Sequence, residues 1–517
     1  MAIANKKWLT SLLCLGLAVS VSACGSSKEK GSSADPSAST GTATSSATAS
    51  GSEAKPQLHV LNIWMNDDYN TYPVAKLIEE KTGYKVKYDM LPQDKVNDKL
   101  NLLISSGEPY DLVTIAGDRS LYGDYAKKGA LVDLGPLIDQ YGPNIKAKMS
   151  QESLDALKID GKIYGIGNRS SAFASYGLMI RTDWLEKVGL SAPTTIDEFT
   201  AVLKAFKEKD PGGNGDKGYP FTITGESPMV ADLMGAFNLA NYWTDVDGKL
   251  VQPPLNPGFE GYLTYMSSLY KDGLLDKEFA VNKDATMKEK FTSGRIGVAP
   301  LAWWDIPTVT DALQKNFPDA KIAFLPALKG PDGKLGLGMG GGFDRISFIP
   351  KSSKNPEDTI KWINAKLEDN LFKEIAIGEE GKHYTYKDGV YSPILPTFTD
   401  ERNQANNYLT GIDEKNYPTY WQARVQKDMR LFEGFNYLNN VLPAEARLVD
   451  PVALAPSMPI NSKNSAAIGQ LLNDYLVKVF VGEEPVSSLP NFVKKFNAEG
   501  GQDNYDEMNA WYTTLKK

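Results

Sequence analysis

Between Gln57 and Gly117 the hydrophobic pattern changes period again and again, and this constrains the fold more than any other feature of the chain. "QLHVLNIWM" alternates and reads as a strand. "TYPVAKLIEEKTG" sets Val74, Leu77 and Ile78 at helical spacing and stops at Gly83. "YKVKYDML" reads as a second strand, "DKVNDKLNLLISSG" as a second amphipathic helix and "YDLVTIAG" as a third strand. Strands separated by helices imply a parallel or mixed sheet with helices on both faces, an α/β fold. Ligands of such sheets bind beyond the carboxyl ends of the strands. Those ends carry Trp64, Asn66 and Asp67 after the first strand, and Asp118 and Arg119 after the third.

Further along, "TIDEFTAVLKAFKEKD" reads as a helix capped by Thr195, and "EKFTSGRIGVAPLAWWDIP" as a helix end, a turn and a strand that finishes at Trp303–Trp304. The roughly 460 residues after Gln57 exceed what one hydrophobic core serves, so two lobes are expected. A formal net charge of −8 argues against a nucleic-acid partner.

Residues 1–23 have the form of an export signal. Lys6 and Lys7 precede an apolar run from Trp8 to Val19, too short to anchor stably across a bilayer. "VSAC" follows, and this run resembles the bacterial lipobox, in which cleavage leaves Cys24 to carry lipid. Cys14 lies in the removed part, so the mature domain is left with no disulfide and no thiol metal ligand. Residues 24–56 then read as the lipidated Cys24 followed by a flexible tether, rich in Ser, Thr and Ala and free of aromatics. The expected location is the extracytoplasmic face of the cell membrane, held there by lipid rather than by a span.

"LISSGEPYDLVTI", "GALVDLGPLIDQYGPNI", "DGKIYGIGN", "SGRIGVAPLAWW", "ISFIPKSSKNPEDTIKWIN" and "GEEGKHYTYKDG" stand in order behind the lipobox. In this the chain resembles the bacterial extracellular solute-binding proteins of family 1, the maltose-binding-protein-like group, in its long LplA/LipO-type lipoprotein branch. The resemblance implies a two-lobed periplasmic-binding-protein-like fold with a hinge and an interlobe cleft. It implies a monomer that passes a carbohydrate, usually an oligosaccharide, to the permease of an ABC importer, with no catalytic residues and no cofactor. It places lobe 1 at 57–168 plus about 337–395, lobe 2 at about 169–336 plus 396–517, and the crossings near 168–174, 338–343 and 384–396.

A sugar offers flat C–H faces and a rim of hydroxyls, so its site needs aromatic platforms beside polar side chains. Trp64, Trp243, Trp303, Trp304 and Trp421 are the candidate platforms, with Asn66, Asp118, Arg169 and Asp305 as polar partners. Because adjacent strand residues face opposite ways, one of Trp303 and Trp304 is expected to pack inward and the other to face the cleft.

The stretch "KDPGGNGDKGYP" raises calcium. Asp210, Asn214 and Asp216 occupy positions 1, 5 and 7 of an EF-hand-like loop found in several relatives, whereas Gly212 and Gly218 lack the oxygens expected at 3 and 9. The loop is expected to persist as a turn without metal. Two other functions compete. A surface-anchored glycoside hydrolase or lyase would need two carboxylates across the cleft, and no motif marks a pair. A peptide-binding receptor lipoprotein would share the whole architecture.

Overall fold

The computed structural model describes residues 54–239 and 241–516. The export signal, Cys24 and nearly all of the tether lie outside them. The alternation appears as β1 (Leu58–Asn62), α1 (Pro73–Thr82), β2 (Val86–Met90), α2 (Val96–Ser106), β3 (Leu112–Ala116), α3 (Arg119–Lys127) and, after short helices, β4 (Gly165–Arg169). Pro73 opens α1, where a missing N–H costs nothing. Gly83 and Gly107 end α1 and α2 in the left-handed region that favours glycine. The chain then builds β5 (Tyr176–Arg181), α4 (Ile196–Lys209), β6 (Tyr219–Phe221), β7 (Ile296–Ala302) and β8 (Ile322–Phe324), and returns to the first sheet as β9 (Phe343–Phe348). Thr195 caps α4, and its Oγ1 accepts from the Glu198 N–H.

The first sheet runs β2-β1-β3-β9-β4 and the second β8-β5-β7-β6. β1 is parallel to both neighbours, while β9 is antiparallel to β3 and β4. The direction of β9 matters for the site. It sets Arg345 opposite Ala116 and Phe343 opposite Arg169, so the start of β9 lies beside the carboxyl ends of β3 and β4. The approach is close at Gly117, where a Cβ would fall 1.9 Å from the Phe343 carbonyl oxygen, and only glycine fits.

Apolar packing divides the described residues into two lobes. Val60, Ile78, Leu112 and Trp362 share a core with Phe398, Tyr408 and Tyr417. Leu178, Phe199, Leu203 and Phe221 form a second core, and Leu301, Trp303, Val425 and Phe435 a third beside it. The chain crosses between lobes at 170–173 and at 340–342, where Gly341 has φ +121°. The third crossing corrects the sequence expectation. Residues 384–396 form a hairpin on the first lobe, with Tyr391 5.4 Å from Tyr420. The actual passage comes between Ala423 and Val425, at the end of α5 (Tyr417–Val425) and before α6 (Met429–Asn436). Arg424 pins that point to the first lobe by donating to the carbonyls of Ala376, Arg402 and Asn403. At the other boundary, Leu337–Met339 pairs with Arg447–Val449 and belongs to the second lobe.

Candidate functional site

The first-lobe edge gathers groups from four strands. Trp64, 41% exposed, and Asn66 lie just beyond β1. Asp118 follows β3 and accepts from the Leu121 N–H at 3.0 Å, capping α3 with one carboxylate oxygen. Arg169 ends β4 and stands 3.5 Å from Glu152 and 3.9 Å from Glu414. The fourth group, Asp344 at the start of β9, is absent from the sequence-based candidates. It is exposed, yet burial raises its carboxyl above the ordinary range, and the nearby Arg345 only partly offsets this.

On the second lobe, Trp303–Asp305 forms a turn at the end of β7, and this turn, rather than strand alternation, sets the two indoles edge to face with one buried and one exposed. Trp303 is 5% exposed, with ring centres 5.3 Å from Trp304 and Phe435 and 6.5 Å from Trp421. Trp304 is 44% exposed and meets Tyr176 edge-on at 5.5 Å. Asp305 accepts from the Ala302 N–H and pairs with Lys288 at 2.8 Å. Trp421 is half-buried against the cores of both lobes, and Tyr417 beside it, at 6.1 Å, feels the charges of Asp344 and Arg345. Trp421, packed against both cores and 6.5 Å from Trp303, joins the two sides.

Three polar atoms at this seam are buried without a protein hydrogen-bond partner: the indole Nε1 of Trp303, that of Trp421, and Glu414 Oε1. Such atoms are costly unless something pairs them. Trp243 does not join the group. It is buried against Leu250, Ala455, Met458 and Met508 and offers no open face for a sugar, which corrects its place among the platforms.

The loop at Asp210 is separate from the seam. It borders a hollow of about 460 Å³ near Arg295, just ahead of β7, while Trp303 follows the other end of that strand. Both Asp210 carboxylate oxygens are engaged within the turn. Asp210 Oδ1 accepts from the Asn214 N–H at 3.0 Å and Oδ2 from the Gly215 N–H at 2.8 Å. Asn214 donates its Nδ2 to the Gly294 carbonyl at 2.7 Å, and Asp216 points to solvent. The Asp210 carboxylate thus ties the turn. The melting midpoint is expected to be the same in calcium and in chelator. Asp210→Ala should cost about 1 kcal/mol in both, the worth of its turn hydrogen bonds. A calcium-dependent rise in midpoint that Asp210→Ala abolishes would contradict this.

A two-lobed α/β body with a polar, aromatic seam is the architecture of a solute-binding protein. The profile described as bacterial extracellular solute-binding protein matches residues 74–378, and the chain belongs to that family. It is 27% identical over 469 residues to lipoprotein LipO of Bacillus subtilis, covering 86% of this chain and 89% of that one. It is 26% identical over 493 residues to the polygalacturonan/rhamnogalacturonan-binding protein YtcQ of the same organism, covering 90% and 93%. The fructooligosaccharide ABC transporter substrate-binding protein FusA of Streptococcus pneumoniae is 30% identical over 322 residues, 58% of each chain. A structure of FusA in complex with kestose aligns with TM-score 0.67 at 22% identity, covering 89% of this chain and 99% of that one.

Proposed function

We propose that this protein captures a carbohydrate between its lobes and delivers it uncleaved to the permease of an ABC importer. The observation that carries the reading is the aromatic run between the lobes: exposed Trp304 meets Tyr176 and Trp303, and Trp303 meets Trp421, which packs against the cores of both lobes. The indole N–H groups of Trp303 and Trp421 lack a protein acceptor. Aromatic faces suit the C–H faces of a sugar, and hydroxyls can serve unpaired donors and acceptors alike. The names of YtcQ and FusA, both sugar-binding, support the same reading. The crossings at 170–173, 340–342 and 424–428 act as the hinge, with Gly341 at the second absorbing backbone change. The protein works as a monomer and without a cofactor. Lipid on Cys24 holds it at the extracytoplasmic face, a reading that the lipoprotein name of LipO supports.

The test is a glycan panel titrated against the mature protein, followed by small-angle scattering and product analysis. The cognate glycan should stabilise the fold by about 2.7 kcal/mol at a hundredfold excess over Kd. It should also compact the protein by hinge closure and be recovered intact. Cleaved product would favour the glycosidase reading, and binding of peptides alone the receptor reading. Cys24→Ala should release the protein from the membrane fraction and abolish incorporation of labelled palmitate. A variant that stays membrane-bound would remove the lipid anchor from the proposal.

A further inference from the structure

We infer that Asn439 is a positioning residue for the sugar platform, the side chain that fixes Tyr176 and Trp304 relative to the hinge; the inference rests on the carbohydrate reading above and deepens it. Asn439 is buried in a π-helical turn, Tyr437–Val441, that follows α6. Its Oδ1 accepts from the N–H groups of Phe173 at 2.7 Å and Ala174 at 2.9 Å. Its Nδ2 donates to the carbonyls of Ala174 at 3.0 Å and Phe435 at 3.1 Å. Both acceptor positions and both donors of the amide are thereby used, and the N–H groups on one side and carbonyls on the other fix its orientation. An apolar side chain could fill the same space, but it would strip the Phe173 and Ala174 N–H groups of their acceptor.

What Asn439 clasps lies between the hinge and the platform. On the hinge side, the Phe173 carbonyl accepts from the Gly340 N–H at 2.7 Å and the Gly342 carbonyl from the Ser170 N–H at 2.9 Å, so the first two crossings are joined. On the platform side, the Ser175 carbonyl accepts from the Trp303 N–H at 3.1 Å, at the head of the turn that carries both indoles, and Tyr176 pairs with Ala302. Phe435, whose carbonyl Asn439 also holds, sets its ring 5.3 Å from that of Trp303. One amide thus ties the second-lobe end of a crossing, the start of β5 and the helix behind Trp303. Backbone change absorbed at 170–172 and at Gly341 stops at Asn439, and Tyr176 and Trp304 travel with the second lobe as a unit. Both rings are exposed and meet only edge-on, so their alignment depends on the backbone beneath them rather than on packing around them.

The experiment is a double-mutant cycle on the whole mature protein, with Asn439→Ala, Trp304→Ala and the two combined. The probe is the oligosaccharide pool of a plant polysaccharide hydrolysate, and retained glycans are quantified by mass. Retention is read well below the melting midpoint of every variant, so that only folded protein is compared. Asn439→Ala should retain about tenfold less than wild type. The double variant should retain no less than Trp304→Ala alone, because a platform already removed cannot be misplaced. A side chain that served stability alone would lower the midpoint and leave retention by folded protein unchanged. Asn439→Asp keeps the volume and the acceptor for both N–H groups but loses both donors. It should lower retention in the same non-additive way, and it carries the cycle if the alanine variant does not fold. Losses that multiply in the double variant, or undiminished retention in the Asn439 variants, would overturn the inference and leave the carbohydrate reading standing. Undiminished retention in Trp304→Ala would remove the platform on which the inference depends. No retention by wild type would remove the carbohydrate reading, and this inference with it.

Discussion

Trp303→Ala should destabilise the second lobe by about 3–5 kcal/mol, whereas Trp304→Ala should leave the unfolding midpoint nearly unchanged and weaken glycan binding by roughly tenfold. The contrast follows from two neighbouring indoles leaving one turn in different directions. Trp303 fills space among Phe435, Trp421 and Ile306, and its truncation leaves a cavity that β7 and α6 cannot close without moving. Trp304 shows 44% of its surface and touches Tyr176 edge-on, so its removal costs a platform rather than a core. Trp303→Phe refines the comparison, because it keeps most of the packing and deletes the unpaired indole N–H. If that N–H serves a ligand hydroxyl, Trp303→Phe should bind more weakly while losing far less stability than Trp303→Ala. Denaturant unfolding and fluorescence titration on the same preparations separate the two effects. Equal stability losses with unchanged affinity would place both rings in the core and remove Trp304 from the site.

The sequence made the two indoles visible without saying which was which. The strand–helix alternation of residues 57–117 was legible because its period changes are punctuated by Pro73, Gly83 and Gly107, which act locally. The third crossing was not. Residues 397–423 are short helical turns rich in Asn and Tyr, with no long apolar face. Their place is fixed by contacts over 300 residues away, such as Asn62 Nδ2 donating to the Asn407 carbonyl and Tyr408 Oη to that of Tyr69. Asp344 was hidden for a similar reason. "GGGFDRISF" reads as glycines leading into a strand, and only the antiparallel pairing of β9 with β3 carries its aspartate to the edge at the carboxyl end of β3. Trp243 shows the converse: aromatic residue type alone does not separate platform from core. The Asp210 loop was expected, from Gly212 and Gly218, to lack calcium oxygens at two positions. That its carboxylate is taken up by backbone N–H groups needed coordinates.

Lys290→Met should cost about 3–5 kcal/mol at neutral pH, the penalty for stranding a buried carboxylate. Asp276 is wholly buried and accepts from Lys290 Nζ at 2.8 Å, Thr222 Oγ1 at 2.9 Å and Asn282 Nδ2 at 2.9 Å. Burial alone would raise its carboxyl, but these donors and the Glu278 N–H together hold it below the ordinary range. The wild-type pair therefore contributes its stability above the unfolded carboxyl pKa of about 4 and loses it as the pH falls further. Without Lys290, burial gains the upper hand and the Asp276 carboxyl rises. Protonation then relieves the stranded charge, so the variant's deficit should shrink between pH 7 and pH 5 while the wild type changes little from this source. Lys290→Met combined with Asp276→Asn should recover part of the loss at pH 7, since the amide needs no counter-charge. The consequence reaches the cleft, because helix Asp284–Thr292 also carries Lys288, which holds Asp305 beside Trp304. Loosening the helix at Lys290 should therefore weaken glycan binding as well as stability. Urea unfolding at the two pH values, with titration of the glycan at each, reads both effects. A deficit below about 1 kcal/mol at pH 7, within the range of an exposed pair, would show that the pair does not act as a buried one.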